Sequence, residues 1–427
     1  MTNEDTSLFS LLSSLDGFDP EALSVDQARE AVVSLVAPVP GHERVFVRHA
    51  LGRVLAEDVI SPIDVPGHDN SAMDGWAVRH ADLAADGETR LLIAGTAFAG
   101  RAFGAPVPPG GAVRIMTGAV LPEDADCIVV QEVSRQEGER VVVPAGQKLH
   151  QNLRRRGEDL AVGKAALAAG TLMRPAEVGL AASLGIAEVS VRRRPRVAVF
   201  STGDELCSIG GQPAEGQIYD SNRYTLGGML ERLGCEVLDM GVVRDDPDLL
   251  EASFREAARQ ADAVITSGGV SVGEADFVKA MMARLGEVAF WKIAMKPGRP
   301  MAFGRIADGD RQAWLFGLPG NPVAVMVTFY QFVRPALLAM AGARPRDLPS
   351  FQVACTEALK KGRGRTEFQR GVLFAEGGQW KVRPTGAQGS GILRSMADAN
   401  CFIVLEAERG NIAPGDVVTV QPMDGLA

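Results

Sequence analysis

The sequence predicts a multi-domain protein of the α/β plus β class: a central parallel α/β domain, a mostly-β domain before it and a small β-barrel after it. Three observations carry this. Between Arg196 and Ala341, short apolar runs alternate with helix-length runs, the pattern of a parallel sheet with crossover helices. From about residue 78 to 150, and again beyond Ser350, short apolar runs are punctuated by Gly and Pro, as in small barrels and sandwiches. Finally, 427 residues are too many for one ordinary domain.

The elements follow in order. Ser24-Val25-Asp26-Gln27 is a capping box and opens a helix with apolar Ala28, Ala31, Val32 and Leu35, ended by Pro38 and Pro40. Arg44–Val47 reads as a strand and Ala50–Leu55 as a helical turn. The stretch Asp64 to Val78 (DVPGHDNSAMDGWAV) is dense in carboxylates and turn formers, and is either a functional loop or an Asx-rich turn. Leu91–Ala94, Ala112–Met116, Cys127–Val130 and Val141–Val143 read as strands; Thr117, just after the second, is a ligand hydroxyl or, as the residues alone favour, satisfies the turn. The cluster Arg154-Arg155-Arg156-Gly157-Glu158-Asp159 is an ion-paired loop, or an anion or subunit contact. Ala176–Leu184 resembles a helix.

In the central region Val197–Phe200, Glu236–Met240, Ala263–Ile265, Val288–Ile293, Met301–Phe303 and Trp314–Phe316 are strand candidates. Asn222–Leu233, Asp248–Arg259, Phe277–Leu285 and Pro322–Ala341 are the helices between and after them. Ala343 to Ser350 reads as a linker, and five short strands beyond it fit the barrel.

Composition narrows the function. Hydrophobic content is 46% and charged content 23%, ordinary globular values. A net charge of −9 excludes a nucleic-acid binder held by a broad basic surface, though not a local cationic pocket. No uninterrupted apolar run reaches membrane-spanning length, and the acidic N-terminus lacks a signal-peptide pattern; no membrane partner and a cytoplasmic location are expected. Five dispersed cysteines without a CxxC pair read as reduced thiols. The five histidines show no metal-ligand spacing, which argues against a zinc site.

One stretch organises the chemistry: Ala263 to Asp276, AVITSGGVSVGEAD. It reads as strand, glycine-rich turn and helix, and Ser267, Gly268, Gly269, Ser271 and Gly273 let backbone N–H groups approach an anion. Without a Lys it is not a Walker-type loop. Asp276 beside an anion implies a cation between them, for which Mg²⁺ is the natural choice. Open α/β sheets bind ligands beyond the carboxyl ends of their strands. That rule gathers Asp204, Glu205, Asp245, Asp246 and the glycine loop at one edge, with Lys292 and Lys296 near the end of their strand. A polyanionic substrate with Mg²⁺ accounts for this set; the alternative for any single Asp is a helix N-cap.

Several motifs occur in an order that resembles the molybdopterin molybdenumtransferase family, the bacterial MoeA proteins, which is similar to the C-terminal domain of gephyrin. They are DNSAMDGWAV, IMTGAVLP, FSTGDEL, IYDSN, RDDP, SGGVSVGEAD, FWKIAMKPG, GLPGNP and FQRGVL, and the resemblance runs from about residue 20 to the end. It implies insertion of molybdate into adenylylated molybdopterin, with release of AMP. It implies functional roles for Asp74, Thr117, Glu205, Asp245 and Asp276, the last three as candidate Mg²⁺ ligands; which of them holds the metal and which acts as a base stays open. It implies substrate contacts from the glycine loop, Lys292, Lys296, Pro319, Gly320, Asn321, Arg370 and Ser390. Trp76 and Arg299 depart from the family's usual Tyr and Lys; Arg for Lys keeps the charge but changes hydrogen-bond geometry.

The resemblance further implies a homodimer whose cleft takes Asp74 and Thr117 from one chain and the α/β residues from the other. The expected partition is a disordered extension over 1–20, a discontinuous linking domain over 42–60 and 158–190, and a mostly-β domain over 61–157. The molybdopterin-binding α/β domain, of three layers, takes 21–41 and 191–346, and the barrel takes 347–427. Molybdopterin adenylyltransferase and cofactor-accepting proteins are the implied partners. Two other readings compete: a gephyrin-like scaffold without turnover, against which the intact acidic and lysine positions speak, and an enzyme that only adenylylates molybdopterin, against which the multi-domain layout speaks. Molybdate and tungstate, dianions of nearly equal size, are not separable from the sequence.

Overall fold

The computed structural model describes residues 23–268, 275–345 and 348–423, the side chains of 275–277 excepted. The expectations for residues 1–20, for Gly269, Ser271 and Gly273, and for the side chain of Asp276 lie outside the described residues.

The central sheet has six strands, ordered Glu236–Val243, Arg196–Thr202, Ala263–Ser267, Arg311–Leu318, Pro300–Asp308 and Gly286–Lys292. The first four run parallel, as expected from strands separated by helices. The last two are added antiparallel. The cause is local: Asp308 pairs with Arg311, so only Gly309 and Asp310 connect those strands, and Gly309 takes φ +60°. A two-residue turn reverses the chain, whereas a parallel return needs a crossover.

Strand alternation divides the core into two layers. Val197, Val199, Ala263 and Ile265 pack on one face with the helices Val25–Leu35, Asn222–Arg232 and the run Pro322–Met340. Ala198, Phe200, Val264 and Leu315 pack on the other with Pro247–Gln260 and Ala275–Leu285. The first of those helices has its full capping box: Ser24 Oγ accepts from Gln27 N–H at 3.2 Å, and Gln27 Oε1 accepts from Ser24 N–H at 3.0 Å.

The run Pro322–Met340 is long and apolar enough to cross a membrane by length and composition, but 72% of its window is buried inside the domain. It contains a π-helical turn, Phe329–Val333, just before Pro335. Pro335 lacks an N–H, so the carbonyl of Gln331 loses its helical donor. Arg29 replaces it, with Nε donating to Gln331 O at 3.2 Å and Nη2 to Gln331 Oε1 at 2.6 Å. The N-terminal helix is thereby tied into this domain.

The C-terminal barrel closes through five strands: Thr366–Glu376, Gln379–Pro384, Phe351–Cys355, Val417–Pro422 and Cys401–Leu405, the last pairing back to the first. A short strand, Met295–Lys296, leaves the central domain and pairs parallel with Thr366 and Glu367 of the barrel. That strand has no counterpart in the sequence reading, and it carries Lys296 to the boundary between sheet and barrel.

The mostly-β region holds a six-stranded sheet from Cys127–Val130 at one edge to Arg135–Glu137 at the other, with Gly75–Val78 second in order. Below it, His42–Phe46 pairs with Glu188–Arg192 and Val59–Ile60 with Ala165–Leu167, so segments before and after this sheet share one small core. The helical turn expected over Ala50–Leu55 lies earlier, at Val47–His49.

Candidate active site

A cavity of about 610 Å³ opens where three parallel strands end, at Thr202-Gly203, Thr266 to Gly268 and Gly317 to Asn321. The edge predicted from topology is therefore the edge that is hollow. Glu205 and Asp245 line it on the acidic side; Lys296, Arg299 and Arg365 line it on the basic side. Ser390, Gln388 and Gly389 reach it from the barrel. The other face of the cavity is apolar, from Leu250, Phe254, Val278, Met281, Met282 and Phe290.

The loops are built for close approach. Gly268 has φ +93°, and a Cβ there would stand 2.5 Å from the carbonyl oxygen of Thr202. Only glycine fits that conformation and that contact. Thr202 Oγ1 and Thr266 Oγ1 are buried without a hydrogen-bond partner among the described residues. Buried hydroxyls are rarely left so, and both sit on residues that line the cavity.

The two aspartates of RDDP separate by role. Asp246 caps the helix Pro247–Gln260, its Oδ1 accepting from Asp248 N–H and Leu249 N–H at 3.0 Å each. Asp245 is left to line the cavity. Lys296 lies 3.6 Å from Glu367, a buried carboxylate of the barrel strand.

A second cavity of about 480 Å³ adjoins the first through Lys296, Pro297, Gln388 and Gly389, and is lined also by Lys360, Glu367 and Arg370. Arg370 is only 1% exposed. Its Nε donates to Ser395 Oγ at 3.0 Å and its Nη2 to the carbonyl of Gly389 at 2.9 Å. No carboxylate pairs with it among the described residues, and burial pushes its pKa down to about 10. A buried guanidinium whose partners are neutral is costly alone and is compensated by an anion.

Asp74 and Thr117 do not line either cavity of their own chain. They meet in the mostly-β region, at the start of Gly75–Val78 and just beyond Gly111–Ile115. Thr117 donates twice to Asp74 Oδ1, from N–H and from Oγ1, at 2.7 Å each. These bonds, the backbone one first, hold the Asp74 carboxyl below the usual carboxylate range. Thr117 does serve a turn, and through Asp74.

Lys292 ends its strand half-buried and lines neither cavity. Pro319, Gly320 and Asn321 line the first; Ser267 lies just behind Gly268. The arginine cluster is spent on structure: Arg155 pairs with Asp69 at 2.8 Å and Arg156 with Asp64 at 2.6 Å. Arg365, Thr202 and Thr266 were missed in the sequence. Arg365 carries no motif signal of its own; the threonines were visible as strand-terminal residues under the carboxyl-end rule.

Comparison with known proteins agrees with this geometry. The description "MoeA N-terminal region (domain I and II)" matches residues 23–185, "Probable molybdopterin binding domain" residues 198–339, and "MoeA C-terminal region (domain IV)" residues 352–423. The chain is 46% identical to a molybdopterin molybdenumtransferase of Haemophilus influenzae over 407 residues, covering 95% of this chain and 99% of that one. It is 37% identical to one of Nostoc sp., covering 87% of each. A crystal structure of the molybdopterin biosynthesis moeA protein from Pyrococcus horikoshii OT3 superposes with a TM-score of 0.79 at 28% identity, over 94% of this chain and 100% of that one. The fold and its cavity are those of a multi-domain enzyme built around a molybdopterin-binding domain. The chain belongs to the molybdopterin molybdenumtransferase family.

Proposed function

We propose that this chain inserts molybdate into adenylylated molybdopterin in a Mg²⁺-dependent reaction that releases AMP. At the coarser level, it is a transferase of molybdenum cofactor biosynthesis. The observation that carries the finer reading is one cavity at the strand ends with carboxylates on one side and three cationic side chains on the other, beside two hydroxyls that have no partner among the described residues.

The donor set suits Mg²⁺. Glu205 and Asp245 offer hard oxygen ligands, and no group of three His, Cys, Asp or Glu side chains stands ready for a metal among the described residues. Mg²⁺ commonly takes one or two carboxylates and completes its shell with water and substrate phosphates. Glu205 and Asp245, with Asp276 as the third candidate, would hold it. When bound, the ion withdraws charge from the phosphoanhydride.

The chain's own residues do the rest. The backbone N–H of Gly320 faces the phosphates. Lys296, Arg299 and Arg365 neutralise them. Arg370 and the neighbouring Ser390 attract molybdate toward the second cavity, with Lys292 adding positive charge. Two dithiolene sulfurs replace two molybdate oxygens, which leave as two waters carrying the two thiol protons and two protons from solvent, while one water cleaves the phosphoanhydride to leave AMP. Asp74, kept ionised by Thr117, orients that water from a second copy of the chain, so the working unit is a homodimer. The reaction needs a molybdopterin adenylyltransferase upstream and a cofactor-accepting protein downstream. Five free cysteines fit a reducing compartment, the cytoplasm.

The test is reconstitution. Purified protein, adenylylated molybdopterin, Mg²⁺ and molybdate are incubated and then added to an apo-molybdoenzyme. Activation that requires molybdate supports the reading. Tight nucleotide binding without activation would instead indicate a carrier or scaffold.

A further inference from the structure

We propose that Asn222 is a positioning residue for this transfer, an amide clamp that sets the gap between the two backbone loops at the cavity mouth. The inference rests on the functional reading above. Asn222 opens the helix Asn222–Arg232 and belongs to the IYDSN motif, which the proposed chemistry leaves without a role. Its Nδ2 donates to Ser267 Oγ and to the carbonyl of Gly320, both at 2.7 Å. Ser267 ends the strand that enters the glycine loop, and Gly320 lies in the loop before Pro322. One nitrogen thus joins two loops that are otherwise distant in sequence.

The orientation of the amide is fixed by chemistry. A carbonyl can only accept, so the NH₂ end must face Gly320. Both of its protons are then used, and Oδ1 is buried without a partner among the described residues. Ser267 Oγ receives one of these bonds, so its own proton is left to donate. The two loops are also joined through the backbone: Gly268 N–H donates to the carbonyl of Leu318 at 3.2 Å. Beyond that bond, the Asn222 amide is the side-chain tie that holds the Gly320 peptide against Ser267.

The base of the clamp is rigid. Asp220 is 1% exposed and accepts from Ser201 Oγ at 3.0 Å, Arg223 Nε at 3.0 Å and Arg223 N–H at 3.3 Å. Arg223 in turn bridges to Asp239 at 2.5 Å. The turn that presents Asn222 is consequently bonded to two adjacent strands, Arg196–Thr202 and Glu236–Val243. A shift of about 1 Å in such an arrangement costs on the order of a hundredfold in rate when it misplaces a substrate.

The experiment compares wild type with Asn222→Ala, Asn222→Asp, Ser267→Ala and the Asn222→Ala/Ser267→Ala pair in the AMP-release reaction. Asn222→Ala should lower kcat/KM for adenylylated molybdopterin by about 10- to 100-fold, with KM for molybdate and the thermal midpoint unchanged. Asn222→Asp should do worse, because it sets an acceptor against the Gly320 carbonyl. The double variant should lose no more than Asn222→Ala alone, since the bond that Ser267→Ala removes is already lost with the amide. An Asn222→Ala enzyme within about twofold of wild type would overturn the proposal, as would a loss shared equally by both substrates with a lowered thermal midpoint. If Asn222→Asp fails to fold, Asn222→Ala carries the test. If wild type itself releases no AMP, the functional reading fails separately, and Mg²⁺–ADP becomes the probe. Weaker ADP binding to Asn222→Ala then supports the clamp, and equal binding overturns it.

Discussion

Thr117 gives both its backbone N–H and its hydroxyl to one oxygen of Asp74, at 2.7 Å each. A carboxylate that accepts two such bonds stays ionised and keeps its second oxygen free to act. Removing the hydroxyl by Thr117→Ala should raise the Asp74 pKa toward the ordinary carboxylate value, and the acid limb of the rate profile should move up with it. The sign for stability follows. A depressed folded-state pKa contributes stability above the unfolded value, lost as pH falls through the folded value. Thr117→Ala should therefore narrow the difference between neutral and acidic stability, measured by thermal melts from neutral pH to pH 3. An unchanged Asp74 titration by carboxyl NMR would contradict this.

Arg370 is buried among neutral partners with its pKa pushed down to about 10 by burial. Arg370→Met should hold the melting temperature within a few degrees, since an uncompensated buried charge is replaced by an apolar chain of similar reach. Molybdate-dependent turnover should fall on the order of a hundredfold or more. A large drop in melting temperature with normal molybdate dependence would reverse the assignment, making Arg370 structural.

Gly268→Ala places a side chain at φ +93° and a Cβ 2.5 Å from the Thr202 carbonyl oxygen. The cost should be about 1–3 kcal/mol of stability for the backbone strain alone. The loop must shift to relieve the contact, so nucleotide affinity should fall as well. Denaturant titration and ADP binding measure the two effects; a neutral variant on both would mean that the loop lies elsewhere in solution.

The proposed sharing of the cleft between two chains makes a quantitative prediction. Asp74→Ala and Lys296→Ala should each be inactive as purified. Unfolded together and refolded, they should recover about a quarter of wild-type activity, because half the dimers are mixed and half the clefts in these are intact. No recovery would mean that each chain works alone.

Much of this was legible in the chain because the determinants are local. The alternation of strands and helices, the Ser24 capping box and the glycine at 268 each follow from neighbours in sequence, and the carboxyl-end rule then placed Glu205, Asp245 and Gly268 together. What could not be read depends on distant partners. The strand Met295–Lys296 exists only because the barrel offers an edge at Thr366 and Glu367. Arg155 and Arg156 resemble an anion site until Asp69 and Asp64 fold onto them. The antiparallel edge of the central sheet was within reach, through the Asp308-Gly309-Asp310 turn, but short apolar runs conceal strand direction. The burial of Arg370 is not legible either, since nothing local tells that the barrel closes over it.

If the cavity couples nucleotide cleavage to molybdate insertion, as proposed, AMP release depends on molybdate as well as on Mg²⁺. The direct measurement is AMP release from adenylylated molybdopterin by purified wild type, with Mg²⁺ and molybdate each present or omitted. Rapid release is expected only when both are present, with strong loss in Glu205→Gln and Asp245→Asn. Release that is indifferent to molybdate, or that persists at the same rate with Mg²⁺ chelated, would contradict it.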